Sequence, residues 1–371
     1  MERKQMSIGV DLHKGQFTTY WKSGDGEKDS WKQYKTTTTG YKQFLQEIND
    51  AWKSGYRCEV AVESSGNTRY FKRKVEEVGA TVKVINTLKF KVVNESVKKT
   101  DHRDAATIAE FLEKDMLPEA KLCSPESEEL RRLLKVRENL VRTTVQVKNQ
   151  LHGMLMSMGI ELDKSSLQSK KNRQAAKDVL IEHGQPGETV DPFIETIDQL
   201  EKRINSINRI IEEKTKDDWM VQLLRTIPGA GLINAATVKA YTDDINRFRT
   251  YKQYSAYAGL APYVQKSNES EYIGNITKRG PEELRTALVQ IVLGMARSKK
   301  KTAEYRMMKR YEDMKTQKGS GKSIIATARK LSKIIWHMLH NNTPFDPRKM
   351  KDPILVKHSV DMQVEASRIA S

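Results

Sequence analysis

Apolar and polar positions alternate at short intervals over the first third of the chain, which predicts strands and helices in turn. The runs MSIGVDL, QFTTYWKS and SWKQYKTT have the length and the β-branched or aromatic content of strands, and the turn GDGE separates the last two. Four segments then alternate between helical and buried-strand patterns. They are the helix YKQFLQEINDAWKSG, the strand RCEVAVESSG, the helix RYFKRKVEEVG and the strand TVKVIN, and a further helix follows. The predicted order β-β-β-α-β-α-β-α places an antiparallel meander before crossover units that add parallel strands to the same sheet.

Two stretches in the middle of the chain repeat apolar residues at alternating intervals of three and four, which predicts long helices with a heptad seam. In the first, Arg137 and Thr144 interrupt the seam and can set its register; its members are Leu130, Leu133, Arg137, Leu140, Thr144, Val147, Leu151, Met154 and Met158. The second contains Phe193, Ile197, Leu200, Ile204, Ile207 and Ile211. We expect the two helices to pack against each other or against another protomer, with a polar connection over about residues 163–191. An ordinary helical hairpin and a dimerisation arm are both open.

The C-terminal third alternates helical patterns with turn residues. TIPGAGLINAATVKAY predicts a helix-hairpin-helix in which Gly229 and Gly231 let backbone N–H groups approach a phosphate, although a plain connector between helices is the alternative. KGSGKSI resembles a P-loop, but Thr316 stands where the first glycine belongs and a helical pattern precedes it. We therefore expect a flexible turn before the helix IIATARKLSKIIWHML, no ATP dependence, and an extended or partly disordered tail after Asn341.

Composition points to a polyanionic partner. The 371 residues contain 65 Lys plus Arg against 48 Asp plus Glu, a net charge of +17, so nucleic acid is the first expectation. No apolar run reaches the length of a membrane span and the N-terminus lacks the apolar region of a signal peptide, which excludes a membrane partner. Cys58 and Cys123 lie far apart without zinc-ligand spacing, so we expect a reducing cytoplasm and no structural zinc.

Carboxylates stand where strands end and where a helix begins. Asp101 and Asp104 lie three apart in KTDHRDAATIAEFL, and residues three apart on a helix share a face. Asp11 closes the first predicted strand and Glu63 the fourth. If these elements meet, the carboxylates repel one another unless a cation neutralises them, and oxygen ligands suit Mg²⁺ or Mn²⁺. Helix caps and turn residues are the alternative for each carboxylate alone.

The motifs IGVDLHK, VAVESSG and KTDHRDA, in this topology, resemble the RNase H-like (RuvC-like) domain of DEDD-type insertion-sequence transposases, the insertion-sequence family numbered one hundred and ten. LLRTIPGAG, RFRTYKQYSAYAGLAP and ITKRGPEELRTAL, within residues 223–297, resemble the C-terminal transposase domain of that family. The resemblance implies an α/β plus α chain. Its parts would be an RNase H-like catalytic domain over 1–120, a coiled-coil helical arm over 125–215, a mainly helical transposase domain over 220–342 and a tail over 343–371.

The resemblance also implies a nucleophile. A catalytic serine of the family lies between the segments GL.P and G.I.K.G, and Ser267 occupies that place, with Asn268 where glycine is usual and Ser270 close by. Ser267 would attack a DNA phosphate and form a phosphoserine linkage, with Asp11, Glu63, Asp101 and Asp104 as metal ligands of a composite site. The cations that follow are suited to binding phosphates, or else form a solvated helix face; they are Lys278, Arg279 and Arg285.

The partners follow from the same resemblance. For a transposase of this kind, the resemblance implies double-stranded donor and target DNA and a structured non-coding (bridge) RNA that pairs with both. It also implies a homo-oligomer, in which a dimer assembles to a tetramer. A +17 chain accepts RNA as readily as DNA. Two other functions are open at this point: a resolvase-like, metal-dependent nuclease without a covalent intermediate, and a non-catalytic nucleic-acid scaffold whose carboxylates are caps.

Overall fold

The structure, a computed structural model, describes residues 3–24, 29–87, 89–90, 101–266 and 271–351. It separates into two compact units, Met1–Leu122 and Cys123–Ser371. The first unit is mixed α/β and the second is mainly helical, as expected. The division into four segments implied by the resemblance stays a prediction. In the part of the chain that is described, no helix is both long enough and apolar enough to cross a membrane.

The first unit contains the predicted order of strands and helices. Its elements are β1 (Lys4–Leu12), β2 (Gln16–Ser23), β3 (Ser30–Lys35), α1 (Thr38–Lys53), β4 (Tyr56–Glu63), α2 (Thr68–Glu76), β5 (Thr81–Ile85) and α3 (Asp101–Glu113). The sheet has the order β3-β2-β1-β4-β5. The first three strands are antiparallel, whereas β4 lies parallel to β1 and β5 parallel to β4. The meander and the crossover units therefore share one sheet, as predicted.

The two faces of this sheet differ in what covers them. On one face, side chains from β1, β2 and β4 pack with α1 and α2 around the buried Phe17, whose ring centroid lies 5.2 Å from that of Tyr34 and 5.3 Å from that of Phe44. On the other face, Ala61 of β4 packs with Ile108 and Leu112 of α3. The core on this second face is the smaller one. Helix α3 packs on this face, near the carboxyl ends of β1 and β4.

The second unit begins with two long helices that pack side by side. They are α4 (Pro125–Ser157) and α6 (Asp191–Thr215), with α5 (Lys170–Glu182) between them. Arg137 donates from Nε to Asn208 Oδ1 at 2.7 Å, and Lys148 donates to Glu201 Oε1 at 2.9 Å, so the helices run antiparallel. The predicted mutual packing is confirmed. Supercoiling and a second protomer at the seam stay predictions.

The connection between these helices is a folded element, which corrects the expectation of a polar connection over 163–191. Within it, α5 buries Ala176 and Leu180 against Leu151 and Leu155 of α4. Arg173 is also buried, and its guanidinium donates to Asp198 and Glu201 of α6. The apolar stretches of α5, the pair Ala175–Ala176 and the run Val179–Ile181, are short and separated by charged residues. A buried arginine also counts as polar in any sequence pattern, so the core was missed.

The rest of the second unit surrounds one large core. Its elements are α7 (Trp219–Arg225), α8 (Leu232–Thr242), α9 (Tyr251–Tyr257), β6 (Pro262–Lys266), β7 (Glu271–Ile276), α10 (Glu282–Arg297), α11 (Lys299–Thr302), α12 (Arg306–Lys318), α13 (Ser320–His340) and α14 (Pro347–Met350). Helix α10 contributes Leu284, Leu288, Ile291 and Met295 to this core, and α13 contributes Leu331 and Ile335.

Three features of this region differ from the sequence expectations. A two-stranded antiparallel hairpin, β6 and β7, lies in this region, for which the sequence patterns predicted only helices and turns. The expected flexible turn at KGSGKSI is confined to Gly319, with φ of +79°, because α13 already begins at Ser320. The tail is not extended in its first part, since Phe345 is buried in the core and its N–H donates to Thr226 Oγ1 at 2.9 Å.

Candidate functional site

Asp11 and Glu63 lie at the same edge of the sheet and face the same side. Val10 of β1 is in register with Val62 of β4, and because the strands are parallel, the next residue of each comes at the same carboxyl edge. Gly9 and Ala61 are also in register, and both face α3. Side chains two positions apart on a strand share a face, so Asp11 and Glu63 face α3 as well.

Helix α3 approaches that face at backbone distance. A Cβ built on Gly9 would lie 2.0 Å from the carbonyl oxygen of Ala105 and 2.4 Å from the amide nitrogen of Ala109, so only glycine fits there. The small residues Ala105 and Ala109 are fully buried against the strand. Asp101 and Asp104 stand in the first turn of this helix. Close packing at Gly9 therefore brings the start of α3 to the strand end that carries Asp11.

His13 joins Asp11 and Asp101. Its Nε2 lies 3.0 Å from Oδ2 of Asp11 and 3.7 Å from Oδ1 of Asp101. Among the described residues, these three form a group whose ligand atoms all lie within 4.8 Å of one another. Asp11 is 16% exposed, whereas His13 is 51% exposed. One side of the group is thus buried and the other opens to solvent.

The electrostatics of the group favour a cation. Burial is the largest cause that raises the pKa of Asp11, and the nearby Asp101 and Asp104 raise it further, while His13 lowers it. An anion held among like charges in a half-buried position is stabilised by a bound cation. The donor set, carboxylate oxygens with one imidazole nitrogen, is suited to holding a divalent metal ion.

The structure thus brings together most of the predicted acidic residues. Asp11 and Asp101 lie in one group, and Asp104 is close enough to act on the pKa of Asp11. Glu63 lies at the same edge, where its backbone carbonyl accepts a hydrogen bond from Thr68 Oγ1 at 2.8 Å. Sequence reasoning missed His13. Its position two residues after Asp11 was the available signal, but a histidine beside a turn is too common to stand out.

Comparison with known proteins extends this picture to both units. A family model for DEDD transposases of the IS110 type, described as "Transposase", matches residues 8–160, which contain every residue of the group at the sheet edge. A second model, described as "Transposase IS116/IS110/IS902 family", matches residues 221–307. The chain belongs to the IS110 family of transposases. It is therefore an enzyme that acts on DNA, an insertion-sequence transposase, as the sequence resemblance implied.

Relatives within this transposase family align over most of the chain. A protein of Pseudomonas aeruginosa named "Probable family 20 transposase" is 27% identical over 81% of this chain and 89% of its own length. The "Transposase for insertion sequence element IS1328" of Yersinia enterocolitica is 27% identical over 91% of this chain and 98% of its own length. A "Pilin gene-inverting protein" of Moraxella lacunata is 28% identical over 67% of this chain and 69% of its own length.

In the second transposase segment, Gly229 and Gly231 lie in the turn between α7 and α8. Gly229 has φ of +86°, and a Cβ there would lie 2.6 Å from the amide nitrogen of Met295, so its glycine is required for packing against α10. Gly231 precedes α8 and no side chain caps that helix start. A plain connector between two helices is therefore enough to explain why residue 229 is a glycine. Contact with a phosphate stays a prediction for Gly229 and Gly231.

The hairpin of β6 and β7 leads into and out of the predicted serine position. Lys266 pairs with Glu271, so the connection comprises residues 267–270. Ser267 and Ser270 lie outside the described residues, and the assignment of the nucleophile stays a prediction.

The predicted phosphate-binding cations follow this hairpin. Lys278 has φ of +52° and is exposed, and its carbonyl oxygen accepts a hydrogen bond from Arg285 Nη1 at 3.4 Å. Arg279 is exposed in the same turn. Within the described ranges, no ion pair joins any of these three cations to a carboxylate.

Proposed function

We propose that this transposase cuts and rejoins DNA at the ends of its element and at a target, using a divalent cation held by Asp11, Glu63, Asp101 and Asp104. The observation that carries the proposal is the convergence of Asp11 and Asp101 with the start of α3 at one sheet edge. The order of the sheet, an antiparallel meander joined to parallel strands, supports the assignment of an RNase H-like (RuvC-like) fold.

The carboxylates act by holding the cation and the reacting phosphate together. A bound Mg²⁺ or Mn²⁺ supplies charge that stabilises the attacking and leaving oxygens of phosphoryl transfer. The parallel strands β1 and β4 fix Asp11 and Glu63 on the sheet, and the backbone contact at Gly9 fixes the helix that carries Asp101 and Asp104. The ligands are thus mounted on regular elements, whose positions vary less than those of loops.

Ser267 is the proposed nucleophile. Its Oγ forms a bond to phosphorus while the bond from phosphorus to one sugar oxygen breaks, so one DNA end becomes linked to the protein and the other leaves as a hydroxyl. The motif around Ser267 and the family match over 221–307 support this assignment. Lys278, Arg279 and Arg285 bind the phosphates of the strand next to it. Backbone N–H groups at Gly229 and Gly231 add a contact without sequence readout.

Target choice by a structured bridge RNA and assembly from a dimer to a tetramer complete the proposal. The net charge of +17 supports binding of two kinds of nucleic acid. Half-buried apolar residues along α4 and α6, among them Leu140, Leu200 and Ile204, support a second copy at that seam. A relative named for inverting a pilin gene supports strand exchange as the reaction.

The test is a denaturing-gel assay for covalent protein–DNA adducts. The full chain is incubated with its element's end DNA, the flanking transcript and Mg²⁺, and the wild type is compared with Ser267→Ala, Ser270→Ala and Asp104→Asn. We expect an adduct that is lost in Ser267→Ala and Asp104→Asn and retained in Ser270→Ala.

Other outcomes assign other functions. Metal-dependent cleavage without any adduct would leave a resolvase-like nuclease and overturn the role of Ser267. An adduct lost only in Ser270→Ala would move the nucleophile to that residue. Unchanged activity after the carboxylate substitution and after removal of divalent ions would leave a scaffold whose carboxylates are helix caps.

A further inference from the structure

Helix α13 has one face in the core and a basic stripe along the other. Its 21 residues contain no Asp or Glu. Leu331 and Ile335 are fully buried. The exposed residues of α13 are Ser320, Gly321 and Ala326 together with cations and histidines, and Lys333 is half-buried. We define the basic stripe by these side chains: Lys322, Arg329, Lys330, Lys333, His337 and His340.

The basic stripe is straight. At about 100° per residue, Lys322, Arg329, Lys333 and His340 fall within about 40° of one another around the helix axis. The rise of about 1.5 Å per residue makes the stripe about 27 Å long from Lys322 to His340. Double-stranded DNA presents a phosphate about every 1.7 Å along its axis, so a straight row of cations of this length spans about 8 base pairs.

The cations of the stripe are not neutralised by the protein. In the described residues, no carboxylate forms an ion pair with Lys322, Arg329, Lys330 or Lys333. Lysines elsewhere in the same unit do have such partners; Lys216, for example, contacts Glu213 at 2.6 Å. Among the described residues, the cations of α13 therefore carry their charge without a carboxylate partner.

This charge arrangement opposes helix stability. Arg329 and Lys333 are like charges four residues apart, a spacing at which like charges destabilise a helix. Lys322 lies in the first turn, where the helix dipole disfavours a cation. Burial is the largest cause that lowers the pKa of His337, and the charges of Lys333 and His340 lower it further. A bound polyanion would relieve the repulsion among these cations and the unfavourable dipole interaction of Lys322.

An aromatic side chain from α9 supports the middle of the stripe. The Nζ of Lys333 lies 4.4 Å from the ring centroid of Tyr251, and the ring of His337 lies 6.0 Å from the same ring. The exposed Lys252 follows Tyr251 on α9. These contacts hold Lys333 in place, which lowers the entropy lost when it binds a phosphate.

We propose that the basic stripe of α13 is a docking surface for the phosphate backbone of double-stranded DNA. The occupant is chosen by charge complementarity and by the enzyme's action on DNA. The proposal requires only that action, and neither Ser267 nor the metal group takes part in it. Contacts of this kind position a duplex without reading its sequence.

The test measures affinity of the full chain for a labelled duplex of random sequence, about 30 base pairs long and thus longer than the stripe, as salt is increased. The triple variant Lys322→Gln, Arg329→Gln, Lys333→Gln is compared with a control that removes the same charge from α6. The control is Lys202→Gln, Arg203→Gln, Arg209→Gln, at positions that are likewise exposed. Circular dichroism verifies that both variants are folded.

We expect the stripe variant to lose affinity for the duplex by about tenfold or more at low salt, and the slope of log K against log salt to fall by up to about 2.7, at about 0.9 per phosphate contact. The control should lose much less of both. Equal losses in the two variants would overturn the proposal, because they would reflect net charge alone. A stripe variant that still binds the DNA duplex but no longer binds a matched RNA duplex would also overturn it and assign the surface to RNA. Adduct formation by Ser267 is read separately, so either proposal can fail alone.

Discussion

The backbone contact at Gly9 predicts that one methyl group will disturb the candidate metal centre without touching any ligand. Replacing Gly9 with Ala would place a Cβ 2.0 Å from the carbonyl oxygen of Ala105, whereas ordinary contact begins at 3.4 Å. The atoms in the way are backbone atoms, so a change of rotamer cannot relieve the clash. Helix α3 would have to withdraw from β1 by about 1.4 Å, the difference between these two distances.

Two consequences have sizes that can be estimated. Overpacking of a tight interface destabilises a protein by about 1–3 kcal/mol, so we expect Gly9→Ala to lower the free energy of unfolding of the first unit by about that much. Withdrawal also separates Asp101 from Asp11, and metal–ligand distances tolerate only about 0.2 Å. We therefore expect divalent-ion affinity to fall by about 10- to 100-fold, as when the support of metal ligands is lost.

The assay uses the full chain. Binding of Mn²⁺ is titrated by electron paramagnetic resonance, and amide hydrogen exchange is followed in peptides that cover residues 101–113. Gly15→Ala is the matched control, because the same substitution there meets nothing within 4 Å. The reasoning is refuted if Gly9→Ala binds Mn²⁺ as tightly as the control and keeps the same protection in α3.

Two further predictions concern charged groups in each unit. Burial is the largest cause that raises the pKa of Asp11, and the charges of Asp101 and Asp104 raise it further. The contribution of Asp11 to stability is therefore present below its unfolded-state pKa and is lost as pH rises through its folded-state pKa. Thermal unfolding measured without divalent ions should therefore show a loss of stability from acidic to neutral pH, and Asp11→Asn should remove this loss. A divalent ion at a concentration of 100 Kd should stabilise the wild type by about 2.7 kcal/mol and should not stabilise Asp11→Asn. A gain that persists in the variant would contradict the role of Asp11 as a metal ligand. Arg173→Met leaves Asp198 and Glu201 without their buried partner, and because these carboxylates are 22% and 33% exposed, we expect a loss of about 3 kcal/mol, at the lower end for a broken buried pair. Hydrogen exchange over residues 164–200 should rise, and unchanged protection there would show that the pair contributes little.

Much of the first unit could be predicted from the sequence because its elements have regular periods. Residues at the end of apolar runs, Asp11 and Glu63, come together once strands β1 and β4 are parallel neighbours, and parallel neighbours follow from the crossover between them. The position of α3 over the sheet was less accessible. It depends on Gly9 facing Ala105, a contact between backbones that no side-chain pattern records.

The missed features have a common physical cause. The hairpin of β6 and β7 exposes Tyr263 and Tyr272, so its strands lack the apolar and polar alternation that a half-buried strand has. Arg173 is buried through its ion pairs, and sequence patterns count it as a surface residue. His13 contacts Asp101 as well as Asp11 only because α3 brings Asp101 to the end of β1. In each case the deciding contact is made by tertiary structure.

Mutations on the two faces of the first sheet have different effects, because one face contains the main core and the other contains the carboxylates. The aromatic cluster around Phe17 packs with α1 and α2, on the side away from the small core that contains Ala61 and α3. Substitutions in the aromatic cluster change how firmly the sheet holds together, while the carboxylates stay on the opposite side. A protein engineer could raise thermal resistance by repacking the aromatic cluster and leave the chemistry of the enzyme as it is.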